Sequence, residues 1–153
     1  MDIRFTDENL FQLEADGILF FTDNSLLGEK TNLIIEEAGE RIIEPIVKQN
    51  GCATGEVKIV PGFSLSAKYV LLSVLPDKGQ KMAKELFRNI LLQTFKITLD
   101  YNLNSVGIDL YYIKHIFNQD YVAILNEVLT ELKSQNIDIL VYLCKGNIID
   151  NDQ

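Results

Sequence analysis

Two short apolar segments, each enclosed by turn-forming residues, constrain the fold of this chain most. Residues 57–60 are rich in β-branched side chains and stand between a Thr-Gly pair and a Pro-Gly pair. Residues 69–74 form a second apolar run, which ends before Pro76. Apolar runs this short, bounded by Gly and Pro, favour buried strands. We therefore predict two consecutive strands at residues 57–60 and 69–74.

The rest of the chain alternates between strand and helix patterns. Further strands are predicted at residues 3–5, 17–21, 105–108 and 138–143, the first as an edge strand. Apolar side chains at helical spacing predict helices at residues 33–38, 42–47, 82–95 and 122–132. Pro45 predicts a break or restart of the second helix near residue 44. Together these patterns predict a three-layer α/β/α sandwich with a mixed, mostly parallel central sheet.

Ligands of such sheets bind beyond the carboxyl ends of the strands, which directs attention to loops 6–11, 22–30 and 109–119. With one His and no Gly-x-Ser-x-Gly motif, the chain offers no nucleophile and base that spacing alone would pair. Asp23 and Asp109 each lie at the end of a predicted strand. They are candidates for a carboxylate pair, and the alternative is that each is a separate, solvated loop residue. Spacing leaves that choice open.

Composition limits the class of protein. The 153 residues are 47% hydrophobic and contain no linker-like stretch, so we expect one domain over residues 1–153. The formal net charge is −8, which repels nucleic acid and anionic membrane surfaces. No leader and no apolar run of about 20 residues is visible, so we expect a cytoplasmic protein. Cys52 and Cys144 are expected as buried thiols, without a metal or cofactor.

The segment that follows Gly51 resembles the macro domain. In that family, Cys-Pro-Thr-Gly-Glu-Ala is followed by Gly-Tyr-x-Leu-Pro-Ala-Lys and then by Val-Ile-His-Thr-Val-Gly-Pro. The residues of this chain that match in register are Cys52, Thr54, Gly55, Glu56, Gly62, Leu65, Ala67, Lys68, Val70, Val74 and Pro76. The resemblance extends from Ile3 to Leu143 and implies an α/β/α fold with a cleft for ADP-ribose or a related nucleotide.

The first loop is similar to the family's opening Gly-Asp-Ile-Thr-x-Leu-Glu-x-Asp-Ala-Ile-Val. Residues 8–19 align with it without a gap, and Asn9 stands where the family has its adenine-reading Asp. The resemblance implies that Asn9 and Leu10 contact the ligand. An Asn carbonyl oxygen accepts a hydrogen bond from an exocyclic amine with less charge assistance than a carboxylate, a loss of about 1 kcal/mol. The alternative is that Asn9 only caps the local backbone.

The second loop departs from the family's Asn-Ala-Ala-Asn-x-x-Leu-Leu-Gly-Gly-Gly. Phe20 and Asp23 occupy the two Asn positions, and the glycine run is reduced to Gly28. Because bare backbone at such glycines lets a phosphate or ribose approach, the change weakens ligand binding. Asn24 is a candidate to replace the lost amide after a one-residue slip. Asp23 and Asn24 are otherwise capping residues of the loop and helix.

The third loop aligns with the family's Ser-Thr-Gly-Ile-Tyr-Gly-Tyr-Pro over residues 112–119. Lys114 and Phe117 replace both glycines that would wrap backbone amides around a diphosphate. Lys114 and His115 are candidates to meet an anion with side-chain charge, provided that they turn into the cleft. Tyr111, Tyr112 and Phe117 are candidates to stack on a base or ribose. The alternative is a surface loop whose aromatic side chains fill the emptied cleft.

The resemblance implies one of three functions. Macro domains bind ADP-ribose, and some hydrolyse it from proteins or deacetylate O-acetyl-ADP-ribose with the Asn and glycine-loop residues that this chain lacks. We therefore expect a non-catalytic module with an altered or weakened nucleotide cleft. The alternatives are a macro scaffold reused for contact with a protein partner, with a filled cleft, and an ADP-ribosyl hydrolase with relocated catalytic residues.

Overall fold

Six strands form one sheet in the computed structural model of the chain, which describes residues 1–149. They are β1 (Asp2–Thr6), β2 (Gly17–Phe21), β3 (Val57–Pro61), β4 (Tyr69–Ser73), β5 (Ser105–Asp109) and β6 (Leu140–Cys144). The order across the sheet is β1-β6-β5-β2-β4-β3. Neighbouring strands run parallel except for β3 and β4, which are antiparallel. The predicted mixed, mostly parallel sheet is confirmed.

Strand β2 shows why a continuous apolar run was needed at the centre of this sheet. All five of its residues are buried. Leu19 and Phe21 face one apolar core, whereas Ile18 and Phe20 face a second core on the opposite side. Successive side chains of a strand point to opposite faces, so a strand that is covered on both faces has no polar positions.

Helices cover both faces of the sheet. They are α1 (Glu29–Ala38), α2 (Ile43–Lys48), α3 (Ala83–Asp100) and α4 (Tyr121–Lys133). Apolar side chains of α3 and α4 belong to the core that contains Leu19, and those of α1 and α2 belong to the core that contains Ile18. The result is the predicted three-layer sandwich. Among residues 1–149, no helix has both the length and the apolar character needed to cross a bilayer.

Several local predictions are also confirmed. The runs at 17–21, 69–74, 105–108 and 138–143 supply β2, β4, β5 and β6, which are adjacent in the sheet. Strand β1 lies at an edge. A short 3-10 segment at Glu40–Ile42 precedes α2, and Pro45 lies in the first turn of α2. Proline is tolerated there because the first backbone N–H groups of a helix have no partner within the helix.

Two local predictions are corrected. Met82 was assigned to the buried stripe of α3, but its side chain is 61% exposed and its φ is 62°. An α-helical residue cannot adopt that left-handed backbone conformation, so the helix begins one residue later. The third loop, predicted as irregular, contains a π-helical segment at Tyr112–Phe117.

Candidate ligand-binding site

A cavity of about 350 Å³ lies at the carboxyl ends of the central strands. Its walls come from residues 21–24 at the end of β2, from residues 74–78 after β4, and from Tyr112, Ile116 and Phe117 after β5. Lys30 and Thr54 complete the lining. The position is the one that parallel α/β sheets use for ligands, because several loops converge there. Its volume is at the lower end of the range for small-molecule pockets, roughly 300 to 1,000 Å³.

A second, smaller cavity of about 60 Å³ adjoins the first. It lies over the ends of β2 and β5, and its apolar lining comes from Phe20, Phe21, Leu33 and the segment 148–149. Asp109 contributes a carboxyl group to the same wall. The space is sufficient for a few water molecules.

Lys30 and Tyr112 separate the two cavities. The Lys30 Nζ donates a hydrogen bond to the Tyr112 hydroxyl oxygen and lies 5.0 Å from the centre of the Tyr112 ring. The Phe21 ring packs against the Tyr112 ring, with 5.6 Å between their centres. Phe21, Lys30 and Tyr112 line both cavities. We call the contact between Lys30 and Tyr112 the partition, since it connects α1 to the π-helical segment across the cleft.

Asp109 is a buried carboxyl group behind the partition. Its side chain is 3% exposed, and burial raises its pKa from 3.8 to about 6. The Tyr112 backbone N–H donates a 3.0 Å hydrogen bond to Asp109 Oδ1, which lowers the pKa and opposes the effect of burial. The same bond fixes the start of the π-helical segment. Asp23 lines the larger cavity and Asp109 the smaller one, so the structure does not bring them together on one wall.

In the second loop, polar side chains form hydrogen bonds within the loop and stabilise its conformation. Asp23 Oδ1 accepts hydrogen bonds from the Ser25 backbone N–H and the Ser25 hydroxyl, at 3.1 and 2.7 Å. Gly28 approaches the Asp23 side chain so closely that a Cβ atom at residue 28 would lie 1.6 Å from Asp23 Oδ2. A side chain at residue 28 would therefore have to displace the Asp23 carboxylate, whereas the φ of −80° is available to any residue.

Asn24 ties the second loop to the segment before β3. Its Nδ2 donates hydrogen bonds to the Cys52 carbonyl oxygen at 3.0 Å and to Thr54 Oγ1 at 3.2 Å. The Cys52 backbone N–H donates in return to the Asn24 carbonyl oxygen at 2.9 Å. Asn24 lines the larger cavity, but these bonds use both hydrogens of its side-chain amide.

In the first loop, Asn9 caps the local backbone. Asn9 Oδ1 accepts hydrogen bonds from the backbone N–H groups of Phe11 and Gln12, at 3.0 and 3.1 Å. Gln12 Oε1 accepts one from the Asn9 backbone N–H at 3.0 Å. Leu10 is fully buried in the core. Neither Asn9 nor Leu10 lines the two cavities.

In the third loop, the π-helical geometry decides which side chains enter the cleft. Tyr112 and Phe117 both line the larger cavity, because the wider turn of a π-helix brings residues five apart to one side. Lys114 and His115 are exposed and line neither cavity. The His115 ring instead packs against the Tyr111 ring, with 4.6 Å between centres.

Lys30 and Lys78 are cations that line the larger cavity, and the sequence reasoning did not single them out. A signal for Lys78 was present, since it follows β4 at the carboxyl edge of the sheet. Lys30 is the last residue of the loop 22–30, so its place near the carboxyl edge of the sheet could also have been predicted. Among residues 1–149, neither lysine forms an ion pair with a carboxylate, and no cluster of three metal-binding side chains is present.

Sequence comparison identifies a family and several relatives of this chain. A family model for the macro domain matches residues 25–109. A macro domain-containing protein of Methanosarcina mazei is 31% identical over 109 residues, covering 69% of this chain and 58% of that protein. ADP-ribose glycohydrolase MACROD1 of Rattus norvegicus is 32% identical over 104 residues, covering 65% of this chain and 40% of that protein. The chain thus spans roughly half the length of these two relatives.

Solved structures show the same fold. The macro domain of ganglioside induced differentiation associated protein 2 superposes with a TM-score of 0.79 at 20% identity, covering 94% of this chain and 76% of that chain. A Trypanosoma brucei macrodomain in complex with ADP-ribose superposes with a TM-score of 0.76 at 23% identity, covering 94% and 63%. Since the family model covers more than half of the residues, this chain belongs to the macro domain family.

Proposed function

We propose that this chain is a non-catalytic module whose cleft binds phosphorylated ribose compounds, and that it binds ADP-ribose weakly. The observation that carries the proposal is the open cavity of about 350 Å³ at the carboxyl ends of β2, β4 and β5, bounded by the partition. Because this volume is open, it favours a cleft that binds a small ligand over a cleft that is filled by its own side chains. The ligand class is supported by the Trypanosoma brucei neighbour, which was solved in complex with ADP-ribose.

Weak binding follows from the third loop. Lys114 and Phe117 stand at the two glycine positions from which the resemblance implies backbone contacts to a diphosphate. Each lost hydrogen bond to a charged phosphate costs on the order of 1.5 to 3 kcal/mol. Two such losses weaken affinity by about two decades or more at roughly 1.4 kcal/mol per decade. Lys114 lies outside the two cavities, so it does not compensate from its position in this structure.

The second loop lacks the amide side chains with which the family's hydrolases act, and this supports the absence of catalysis. Phe20, at the first Asn position of the family motif, is 2% exposed within β2, and its ring packs against Phe11. Asn24, the candidate substitute, has its side-chain amide bonded to Cys52 and Thr54. Phe20 therefore has no amide to present to a ribose in the cleft, and Asn24 has no free N–H donor.

Titration calorimetry with ADP-ribose tests binding. We expect a dissociation constant in the high micromolar range or weaker, with heat that disappears when the larger cavity is blocked by Thr54→Trp. Tight binding would contradict the weak-binding part of the proposal. No detectable binding of any phosphorylated ribose compound would instead favour a scaffold for protein contacts.

Incubation with a mono-ADP-ribosylated protein tests catalysis. We expect no release of ADP-ribose above a buffer control, while a hydrolytically active macro domain serves as the positive control. Release at a rate comparable to that control would overturn the proposal and favour relocated catalytic residues.

A further inference from the structure

The partition divides the cleft into two spaces of very different size. About 350 Å³ lies on one side and about 60 Å³ on the other. ADP-ribose is an extended molecule with an adenosine at one end, a diphosphate in the middle and a second ribose at the other end. Because Phe21, Lys30 and Tyr112 line both cavities, a ligand that occupies both has to pass the contact between Lys30 and Tyr112.

Several contacts hold Tyr112 in place. Its backbone N–H is bonded to the buried Asp109, its ring packs on Phe21, and its hydroxyl accepts a hydrogen bond from Lys30. A ligand that extends from one cavity into the other meets the contact with Lys30 and the packing of the ring on Phe21, and disrupting them costs binding free energy. Ligands confined to the larger cavity avoid that cost. The resulting difference in binding free energy between the two kinds of ligand would determine specificity.

The chemistry of the larger cavity suits a sugar that carries one phosphate. Lys30 and Lys78 supply ammonium groups for a phosphate, in a protein whose net charge of −8 otherwise repels anions. Asp23 and Asp77 line the same cavity and supply carboxylate oxygens, which accept hydrogen bonds from sugar hydroxyls. Phe21, Tyr112 and Phe117 add aromatic surface for the apolar face of a sugar ring.

We propose that Lys30 and Tyr112 are specificity-determining residues, which select a compact sugar monophosphate over an extended nucleotide sugar such as ADP-ribose. The proposal rests on the proposed function, because it assigns the ligand class of the same cleft. Lys30 has two roles: its ammonium group meets the phosphate, and its bond to Tyr112 closes the way to the smaller cavity. Lys78 meets the phosphate only.

The experiment compares the dissociation constants of ribose 5-phosphate and ADP-ribose by calorimetry. Wild type should bind ribose 5-phosphate at least as tightly as ADP-ribose. Lys30→Ala and Lys78→Ala should each weaken ribose 5-phosphate about tenfold, the effect of one lost charge-assisted hydrogen bond. Lys114→Ala is the matched control, because it removes the same charge from an exposed position outside both cavities, and its effect should be less than about twofold.

Tyr112→Ala and Tyr112→Phe test the partition directly. Both remove the hydroxyl that Lys30 contacts. Both should change the ratio of the two dissociation constants in favour of ADP-ribose, by about tenfold for Ala and about threefold for Phe. Tyr112→Phe keeps the ring in the wall, so it remains informative if Tyr112→Ala fails to fold.

Two results would overturn the inference, and they can be told apart from failure of the proposed function. The first is tighter binding of ADP-ribose than of ribose 5-phosphate by wild type, and the second is an unchanged preference in Tyr112→Phe. In either case binding persists and the proposed function stands. If neither compound binds at millimolar concentration, both the proposed function and this inference fail.

Discussion

At the residue scale, the buried carboxyl group of Asp109 makes stability depend on pH. Burial raises its folded-state pKa from 3.8 to about 6, so the folded state holds its proton more tightly than the unfolded state does. Stability is therefore lost as pH rises from about 4 to about 6, and the loss is complete above pH 6. Asp109→Asn should raise the free energy of unfolding at pH 7 by up to about 3 kcal/mol, measured by urea denaturation.

The same comparison at pH 3.5 provides an internal control, because the carboxyl group is then mostly protonated in both states and the difference in stability should shrink to about 0.2 kcal/mol. Asp77→Asn is the matched surface variant, since Asp77 is exposed at the rim of the larger cavity. Its effect should remain within about 0.5 kcal/mol at either pH. An Asp109→Asn variant that is no more stable than wild type at pH 7 would contradict the prediction.

Individual site residues were predictable where their environment follows from the chain nearby. The apolar run 17–21 places Phe20 inside a strand, and the structure buries it there. The hydrogen bonds of Asn24 were not predictable, because its partners Cys52 and Thr54 lie 28 and 30 positions further along. Lys30 acquires its role through Tyr112, which lies 82 positions away. Contacts at such separations depend on the assembled sheet.

At the element scale, the strands were predictable because each central strand is a short apolar run. The π-helical segment at Tyr112–Phe117 was not. Its sequence mixes aromatic, apolar and charged side chains without a 3.6-residue period, and a π-helix is rarely long enough to produce a period of its own. The missing element explains why Lys114 and His115 were candidates for the cleft: an irregular loop would leave their direction open.

The hydrogen bonds of Asn24 join two elements, the loop 22–30 and the segment before β3. Asn24→Ala removes two side-chain bonds and should lower the free energy of unfolding by about 1 to 2 kcal/mol. The backbone bond from Cys52 N–H to the Asn24 carbonyl oxygen should then open more often. Amide hydrogen exchange at Cys52 is the measurement, and it should accelerate more than exchange in β2.

Asn32→Ala is the control for that variant. Asn32 is exposed on α1, and among the described residues its side chain makes no hydrogen bond. Replacing it should not accelerate exchange at Cys52, and alanine should be tolerated because it favours the helix. Equal acceleration in the two variants would show that Asn24 does not join the two segments.

At the scale of the whole molecule, the layers were predictable and the shape of the cleft was not. Strand and helix periodicity predicts a sheet between two helical layers, and the structure shows that α3 and α4 cover one face while α1 and α2 cover the other. The cleft depends on whether Lys30 reaches Tyr112, and that contact joins the first turn of α1 to the π-helical segment. Loops at the carboxyl edge of such a sheet vary with little effect on the layers, since few of their residues belong to either core.

The net charge of −8 predicts how the molecule as a whole meets polyanions. Interactions between exposed charges extend over about 30 Å at 0.01 M salt but only about 10 Å at 0.1 M. Repulsion of a long polyanion is therefore strongest at low salt. Fluorescence anisotropy with a labelled single-stranded oligonucleotide should therefore show no binding at low salt, even where a sugar monophosphate binds. The double variant Glu36→Lys and Glu37→Lys, on the exposed face of α1, should increase the affinity for the oligonucleotide only. Binding by wild type that strengthens as salt falls would contradict the prediction, because it indicates release of counterions by a basic surface.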